Sequence, residues 1–371
     1  MSTPSVLVLG GVGFVGRQLV CHLVENNLAR NIRVVDKSLP ETSNFNERCK
    51  KAFEKVECIQ GNLANPAFIS KCYTQTDGKE FDIVFNLAAE TRYSQNEKIY
   101  EEKVHQLSVN CAKEAAKRNV SVFLEMSTAE VYDSDKSLSK EDSKIKPWTM
   151  RAKYKHKAEE DLCKIEGLNL VVLRPAIIYG PGATSGLTPR LIIGRVYKKL
   201  GEEMKLLWTK DLRINTVHVV DVARACWHVA MWYIEKGKHE KIPIFNLADK
   251  SDLDQGKLNE MIERIFGIKS GFQGSVISNF ALLHLESVTE DINEKHLAPW
   301  AELLKASNIN SSPLTPYLDQ EILYRNAMSV DGSLIAEETG FEYTVPEVTE
   351  EKLREIIDDY KTLGVWPNDD L

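Results

Sequence analysis

Residues 6–16 read Val6-Leu7-Val8-Leu9-Gly10-Gly11-Val12-Gly13-Phe14-Val15-Gly16. The four leading apolar residues suit a parallel strand buried on both faces. Glycines 10, 13 and 16 follow as GxxGxxG. Leu19, Val20, Leu23 and Val24 then recur at helical spacing, and Ile32-Arg33-Val34-Val35 forms a second apolar run that stops at Asp36. This is β-turn-α-β within about thirty residues. The first glycine permits the tight turn, and the second lets backbone N–H groups approach a pyrophosphate. The third lets helix and strand pack closely, and the helix N-terminus lends its partial positive charge. Asp36 lies about 20 residues past the last glycine, where a carboxylate accepts hydrogen bonds from a ribose 2′-OH and repels a 2′-phosphate. The segment therefore predicts a dinucleotide site that prefers NAD to NADP, with Lys37 beside Asp36 as a cation that softens the repulsion.

The alternation continues outward. Strands are expected at Val56–Ile59, Phe81–Leu87, Val120–Met126 and Leu170–Leu173, with helical patterns at Val104–Lys117 and Ala152–Ile165 between them. Strands alternating with helices predict an α/β fold, a doubly wound parallel sheet with helices on both faces. Past residue 176 the alternation weakens and Gly180-Pro181-Gly182 punctuates the chain. Residues 1–175 thus read as a Rossmann-type dinucleotide domain. Residues 176–371 read as a smaller C-terminal α/β substrate lobe, partly interwoven with the first. Within it a helix is expected at Pro189–Lys199, a strand at Thr216–Val220 running into a helix, and a short strand at Ile242–Leu247. A closing helix is capped by Thr349 and striped by Leu353, Ile356, Ile357 and Tyr360. Residues 270–330 are the least readable. Trp208, Trp227, Trp232 and Trp300 are expected in cores.

Composition narrows the function classes. The net charge of −7 argues against a general nucleic-acid binder. No run of 18 apolar residues predicts a membrane span, and the start of the chain does not read as a signal peptide. Seven scattered cysteines without a CxxC suggest reduced thiols and a cytoplasmic protein. The eight histidines show no metal-ligand spacing, so no metal is expected. His218 reads as a structural landmark, and the mixed charge run 236–241 as a solvated loop.

Several further segments resemble the extended short-chain dehydrogenase/reductase family, which holds NAD-dependent epimerases, dehydratases and 3β-hydroxysteroid dehydrogenases. They are the Gly10–Gly16 turn with its Phe14-Val15 filler, Gly61-Asn62-Leu63, Asn86-Leu87-Ala88-Ala89, Met126-Ser127-Thr128-Ala129-Glu130-Val131-Tyr132 and Arg174-Pro175-Ala176-Ile177-Ile178-Tyr179-Gly180. Val217-His218-Val219-Val220-Asp221 and Phe245-Asn246-Leu247 match later landmarks. The resemblance covers nearly the whole chain. It implies NAD as cofactor and a small-molecule substrate with a secondary alcohol or ketone, such as a nucleotide sugar or a sterol-like alcohol. It also implies a homodimer paired through helices near 100–117 and 152–165. Gly10, Gly13, Phe14, Val15, Gly16, Asp36, Lys37, Asn62, Leu63, Leu87, Ala88, Ala89, Lys155, Pro175 and Ile178 fall at cofactor positions, and Thr128 falls at the catalytic Ser/Thr.

The family's chemistry uses Tyr-x-x-x-Lys, a phenol that exchanges a proton and a lysine that holds the ribose. Here Ala158-Glu159 sets the alignment, which puts Lys155 at the lysine and Arg151 at the tyrosine. A guanidinium cannot serve as general acid or base near neutrality. Tyr154 is the neighbouring phenol that a register change would bring to Thr128, so Thr128, Lys155 and Tyr154 form the expected catalytic set. Glu90, Arg92 and Tyr93, after the fourth strand, are candidates for substrate contact or for solvating a loop. Ile177 stands where nucleotide-sugar members usually carry Asn. The competing reading is an NAD-binding sensor or scaffold that keeps the cofactor without turnover.

Overall fold

The computed structural model describes residues 3–75, 77–134, 137–237 and 239–368. Its strands are β1 (Ser5–Leu9), β2 (Asn31–Asp36), β3 (Glu57–Gln60), β4 (Ile83–Asn86), β5 (Val122–Met126), β6 (Leu170–Pro175), β7 (Ile177–Tyr179), β8 (Met204–Leu206), β9 (Thr216–His218), β10 (Ile244–Leu247) and β11 (Ser270–Phe272). Seven form one sheet in the order β10-β6-β5-β4-β1-β2-β3, and every pairing is parallel. This is the doubly wound Rossmann-type α/β fold. The strand order reverses between β1 and β4, the topological switch point outside which such sheets bind ligands.

Both faces of the sheet are covered, which is why its strands read as unbroken apolar runs. Val6 and Val8 point to one face with Leu19, Val34, Phe85, Val222 and Cys226. Leu7 and Leu9 point to the other with Val84, Phe123, Cys111 and Ala158, the period of two expected of a strand. The first helix, Phe14–Glu25, starts directly after Gly13.

The second half of the chain does not stay apart from this sheet. β10 forms its edge beside β6, and the Val219–Lys236 helix packs on the same face as Phe14–Glu25. The remainder builds its own core around Leu191, Ile192, Leu258, Ile262, Trp300, Ile356 and Tyr360, flanked by the short pairs β7/β9 and β8/β11. The closing helix, Glu350–Thr362, has Thr349 accepting from the Lys352 N–H at 3.2 Å and buries all four stripe residues. The stretch that resisted reading holds two helices, Ser275–Leu283 and Leu285–Ala306. No helix among the described residues is long and apolar enough to cross a membrane.

Candidate active site

A cavity of about 1190 Å³ runs from the C-terminal edge of the sheet into the second lobe. That exceeds the ~300–1,000 Å³ of a pocket for one drug-sized ligand, so it has room for a dinucleotide and a second molecule.

At the sheet end, Gly10 adopts φ +77°. A Cβ there would stand 2.7 Å from the Cα and N of Ala88, so the turn after β1 presses on the chain after β4 and only glycine fits. At Gly16 a Cβ would stand 2.5 Å from the Gly10 carbonyl oxygen. The free N–H groups of the Phe14–Glu25 helix begin beside the cavity wall formed by Gly13, Phe14, Val15 and Arg17. Arg17 lays its guanidinium over Phe45 at 4.9 Å and donates to the Gly13 carbonyl at 3.3 Å. Asp36, at the end of β2, accepts from Val12 N–H at 3.1 Å and from Ser38 N–H at 3.0 Å. Those two bonds fix its carboxylate and leave lone pairs toward the cavity it lines. Lys37, Asn62, Leu63, Leu87, Ala88, Ala89, Pro175 and Ile178 line the same space. This set fits NAD: close backbone approach, a helix N-terminus for the diphosphate and a carboxylate for the ribose.

The middle of the cavity carries the polar chemistry. Thr128 caps a short turn by accepting from the Glu130 N–H at 3.2 Å, so its own O–H is left to donate. The Met150–Leu162 helix supplies Arg151 and Lys155, four residues apart on one face, and both line the cavity. Glu159 sets that register. Its carboxylate pairs with Arg174 at the end of β6, with Nη2 to Oε2 at 2.5 Å, and accepts from the Ser127 hydroxyl. Lys155 is buried and paired with Glu125 at 3.1 Å. It also donates to the Met126 carbonyl, which leaves one of its three N–H donors unused. Glu125 in turn accepts from the Asn86 amide and the Ser108 hydroxyl.

The structure does not bring Tyr154 to Thr128. Tyr154 lies on another face of a regular helix, stacked on Tyr100 with centroids 6.2 Å apart, and donates to Glu97 at 2.9 Å. The phenol beside Arg151 is Tyr93, from the loop after β4. Its hydroxyl donates to Glu130 at 2.8 Å and accepts from Arg151 Nη2 at 2.7 Å, and the guanidinium sits 4.4 Å from the ring centroid. Arg151 also bonds Glu130 directly. Thr149 donates to the other Glu130 oxygen at 2.7 Å. Tyr93, Glu130, Arg151, Thr128 and Lys155 all line the cavity. Burial pushes the Tyr93 phenol well above its ordinary range despite the adjacent guanidinium. Glu90 also lines the cavity, and the Arg92 guanidinium beside it holds its carboxyl down at about 2. Trp148 adds a buried indole N–H with no partner among the described residues.

His218 stands outside the cavity lining, edge-on to Tyr179 at 5.0 Å. Its Nδ1 accepts from the Val220 N–H at 3.4 Å, and burial lowers its pKa to about 4. It serves the fold as a neutral helix cap.

The far end of the cavity was not legible in the sequence. Arg190, on the Thr188–Leu200 helix, faces it and donates only to neutral amides, Asn259 at 3.2 Å and Gln255 at 3.3 Å. Burial with no offsetting acid lowers its pKa to about 10. Arg213, by contrast, is consumed by Asp252 and Asp254. His296 also lines this end with an unpartnered Nδ1, and burial, with Lys295 and Arg190 nearby, lowers its pKa to about 4.

Comparison with known proteins agrees with this geometry. Among curated proteins none matches the chain in sequence. The chain is similar in structure to the Bordetella bronchiseptica enzyme WbmG in complex with NAD and UDP (17% identity, TM-score 0.68, 98% of this chain and 97% of that one). It is similar to the UDP-glucose 4-epimerase of Thermotoga maritima with UDP-glucose (19%, 0.65, 96% and 98%). It is also similar to the UDP-N-acetylglucosamine 4-epimerase of Methanobrevibacter ruminantium in complex with UDP-N-acetylmuramic acid (17%, 0.67, 98% and 99%). The model of the NAD dependent epimerase/dehydratase family matches residues 6–248. With that match over well more than half of its length, the chain belongs to the NAD dependent epimerase/dehydratase family, and NAD is its cofactor.

Proposed function

We propose that this protein is an NAD-dependent epimerase or dehydratase acting on a secondary alcohol of a nucleotide sugar, working in the cytoplasm as a homodimer paired through the helices around 100–117 and 150–162. Residues 1–175 hold NAD and most of 176–371 hold the substrate. The observation that carries the reading is the uncompensated Arg190 at the far end of the cavity that begins at the Gly10–Gly16 turn. A half-buried cation without a carboxylate partner is costly unless an anionic ligand completes it. A nucleotide diphosphate supplies that charge, and the structural neighbours with UDP or UDP-sugars support the choice.

NAD, when bound, supplies the acceptor and donor of hydride. The chain's own part is the proton. The free O–H of Thr128 orients the substrate oxygen. Lys155, tied to Glu125, keeps one donor for the cofactor ribose. The Tyr93 oxygen accepts the alcohol proton as its own proton moves to Glu130, and the return step reverses both transfers. The phenol never becomes a phenolate in this relay, so its raised pKa is no obstacle. Arg151 holds the Tyr93–Glu130 pair in place and takes no proton itself. An intact relay on a different phenol favours turnover over a sensor that merely keeps NAD.

Calorimetry on ligand-stripped protein tests the reading, with NAD titrated first and UDP second. Epimerisation of UDP-glucose, UDP-N-acetylglucosamine and UDP-glucuronate is then followed by chromatography. Binding of both ligands with turnover of one sugar is expected. NAD binding without any UDP binding would remove the nucleotide-sugar class. Light scattering at half the expected mass would remove the dimer.

A further inference from the structure

The Ser275–Leu283 helix carries its amphipathicity the wrong way round for a helix that belongs to a core. Val276, Phe280 and Leu283 stand at i, i+4 and i+7, one stripe on a helix. They are 81%, 50% and 80% exposed, while Ala281, off that stripe, is fully buried. Ile277 and Leu282, on either side of the stripe, are 45% and 52% exposed. The helix's inner side packs through Ala281 on Leu207, Trp208 and Val288, and Leu207 and Trp208 are walls of the substrate end of the cavity. From Ser270 to Leu285 the sequence has no Asp, Glu, Lys or Arg, in a chain where 27% of residues are charged.

We propose that this helix docks the protein on the surface of a neutral phospholipid bilayer. Five side chains at these exposures present on the order of 500 Å² of apolar surface, within the ~300–600 Å² of the largest patch on a typical monomer, which is often functional. A second copy or another protein would need roughly 800 Å² per partner, with aromatic and arginine anchors at its centre. This patch falls short in area, is mostly aliphatic and offers no charge to a partner. A bilayer needs no shape complementarity, and binding to it scales with the apolar area that a helix face buries in its interface. The first three turns of the next helix carry Glu286, Glu290, Asp291 and Glu294 against one cation, Lys295, so the docking does not call on anionic lipid. Docking here sets the substrate end of the cavity against the lipid surface, and it is independent of which alcohol the site oxidises.

Flotation with phosphatidylcholine vesicles tests this on the full chain. The wild type is expected to float with the vesicles, and Val276→Glu/Leu283→Glu to remain below with at least a tenfold smaller bound fraction. Both positions are about four-fifths exposed, so the fold tolerates them, and NAD binding by calorimetry is expected to be unchanged. Leu138→Glu, at an exposed leucine elsewhere, is expected to float like the wild type. Phe280→Trp supplies a second readout, a blue shift of its emission on adding vesicles. Equal behaviour of wild type and the double glutamate variant, or no flotation of the wild type, overturns the proposal. So does a larger oligomer, without vesicles, that the double variant abolishes, because the stripe then belongs to a second copy.

Discussion

Replacing Arg190 with Met is expected to move stability and binding in opposite directions. Burial lowers the pKa of this guanidinium from 12.5 to about 10, which corresponds to roughly 3 kcal/mol against its charged form in the free protein. Methionine removes that cost and fills similar space. It also strips Asn259 and Gln255 of a donor, at about 0.5–1 kcal/mol for each of the two hydrogen bonds. The free variant should therefore be more stable by about 1–2 kcal/mol, a rise in Tm of roughly 1–3 °C for a chain of this size. The same cation is the anchor proposed for a phosphate. Losing a charge-assisted hydrogen bond costs about 1.5–3 kcal/mol, so UDP should bind about 10–150-fold more weakly. Thermal unfolding without ligand and calorimetric titration with UDP read the two quantities separately. A variant that melts several degrees lower while binding UDP as the wild type does would refute the reasoning. Arg190 would then be a structural residue.

Four further outcomes are expected. Tyr93→Phe should lower turnover by about 10²-fold or more, while Tyr154→Phe should stay within about twofold; the reverse order would return the proton to Tyr154. Asp36→Asn should narrow the preference for NAD over NADP by about tenfold through loss of the repelling charge, which paired titrations measure. Gly10→Ala should abolish NAD binding, since its Cβ would overlap Ala88 at a φ of +77°, and calorimetry checks it. His218 and His296 are both held neutral to about pH 4, against 6.5 in the unfolded chain. Their contribution is whole above pH 6.5 and is lost as pH falls toward 4, on the order of 3 kcal/mol each. Urea midpoints should drop between pH 6.5 and 4, less steeply in His296→Gln.

The sheet and its cofactor edge were readable because local pattern and tertiary role coincide there. Val6–Leu9 is apolar throughout because both faces are covered, and Gly10 and Gly16 are glycines because backbone fills their Cβ positions. Asp36 ends its strand where the reading placed it. Lys155 reached the cavity because Glu159, the residue that set the alignment, is also the one that ties the helix to Arg174. The proton-handling phenol was harder. Tyr93 sits in a loop, and only the folded chain shows that the arginine at the expected tyrosine position holds it. Arg190 gives no signal at all in sequence, because one cation per helical turn reads as a solvated face. Its isolation from acids is a property of packing. The helices of 270–306 hid because the first exposes its apolar stripe, the reverse of the pattern that marks a core helix.

The edge position of β10 has a consequence for how the molecule is assembled. Its backbone closes the flank of β6, with Ala176 donating to the Leu247 carbonyl, and Asn246 accepts from Tyr132, whose hydroxyl meets Arg174. Arg174 holds Glu159, and Glu159 aims Arg151 and Lys155. A nascent chain that has reached only residue 175 therefore holds the Arg174–Glu159 pair but has a bare flank on β6, and its Tyr132 hydroxyl lacks the Asn246 acceptor. The strand that closes this flank arrives some seventy residues after the nucleotide cradle is in place, so the sheet is finished by a segment from the other half of the chain.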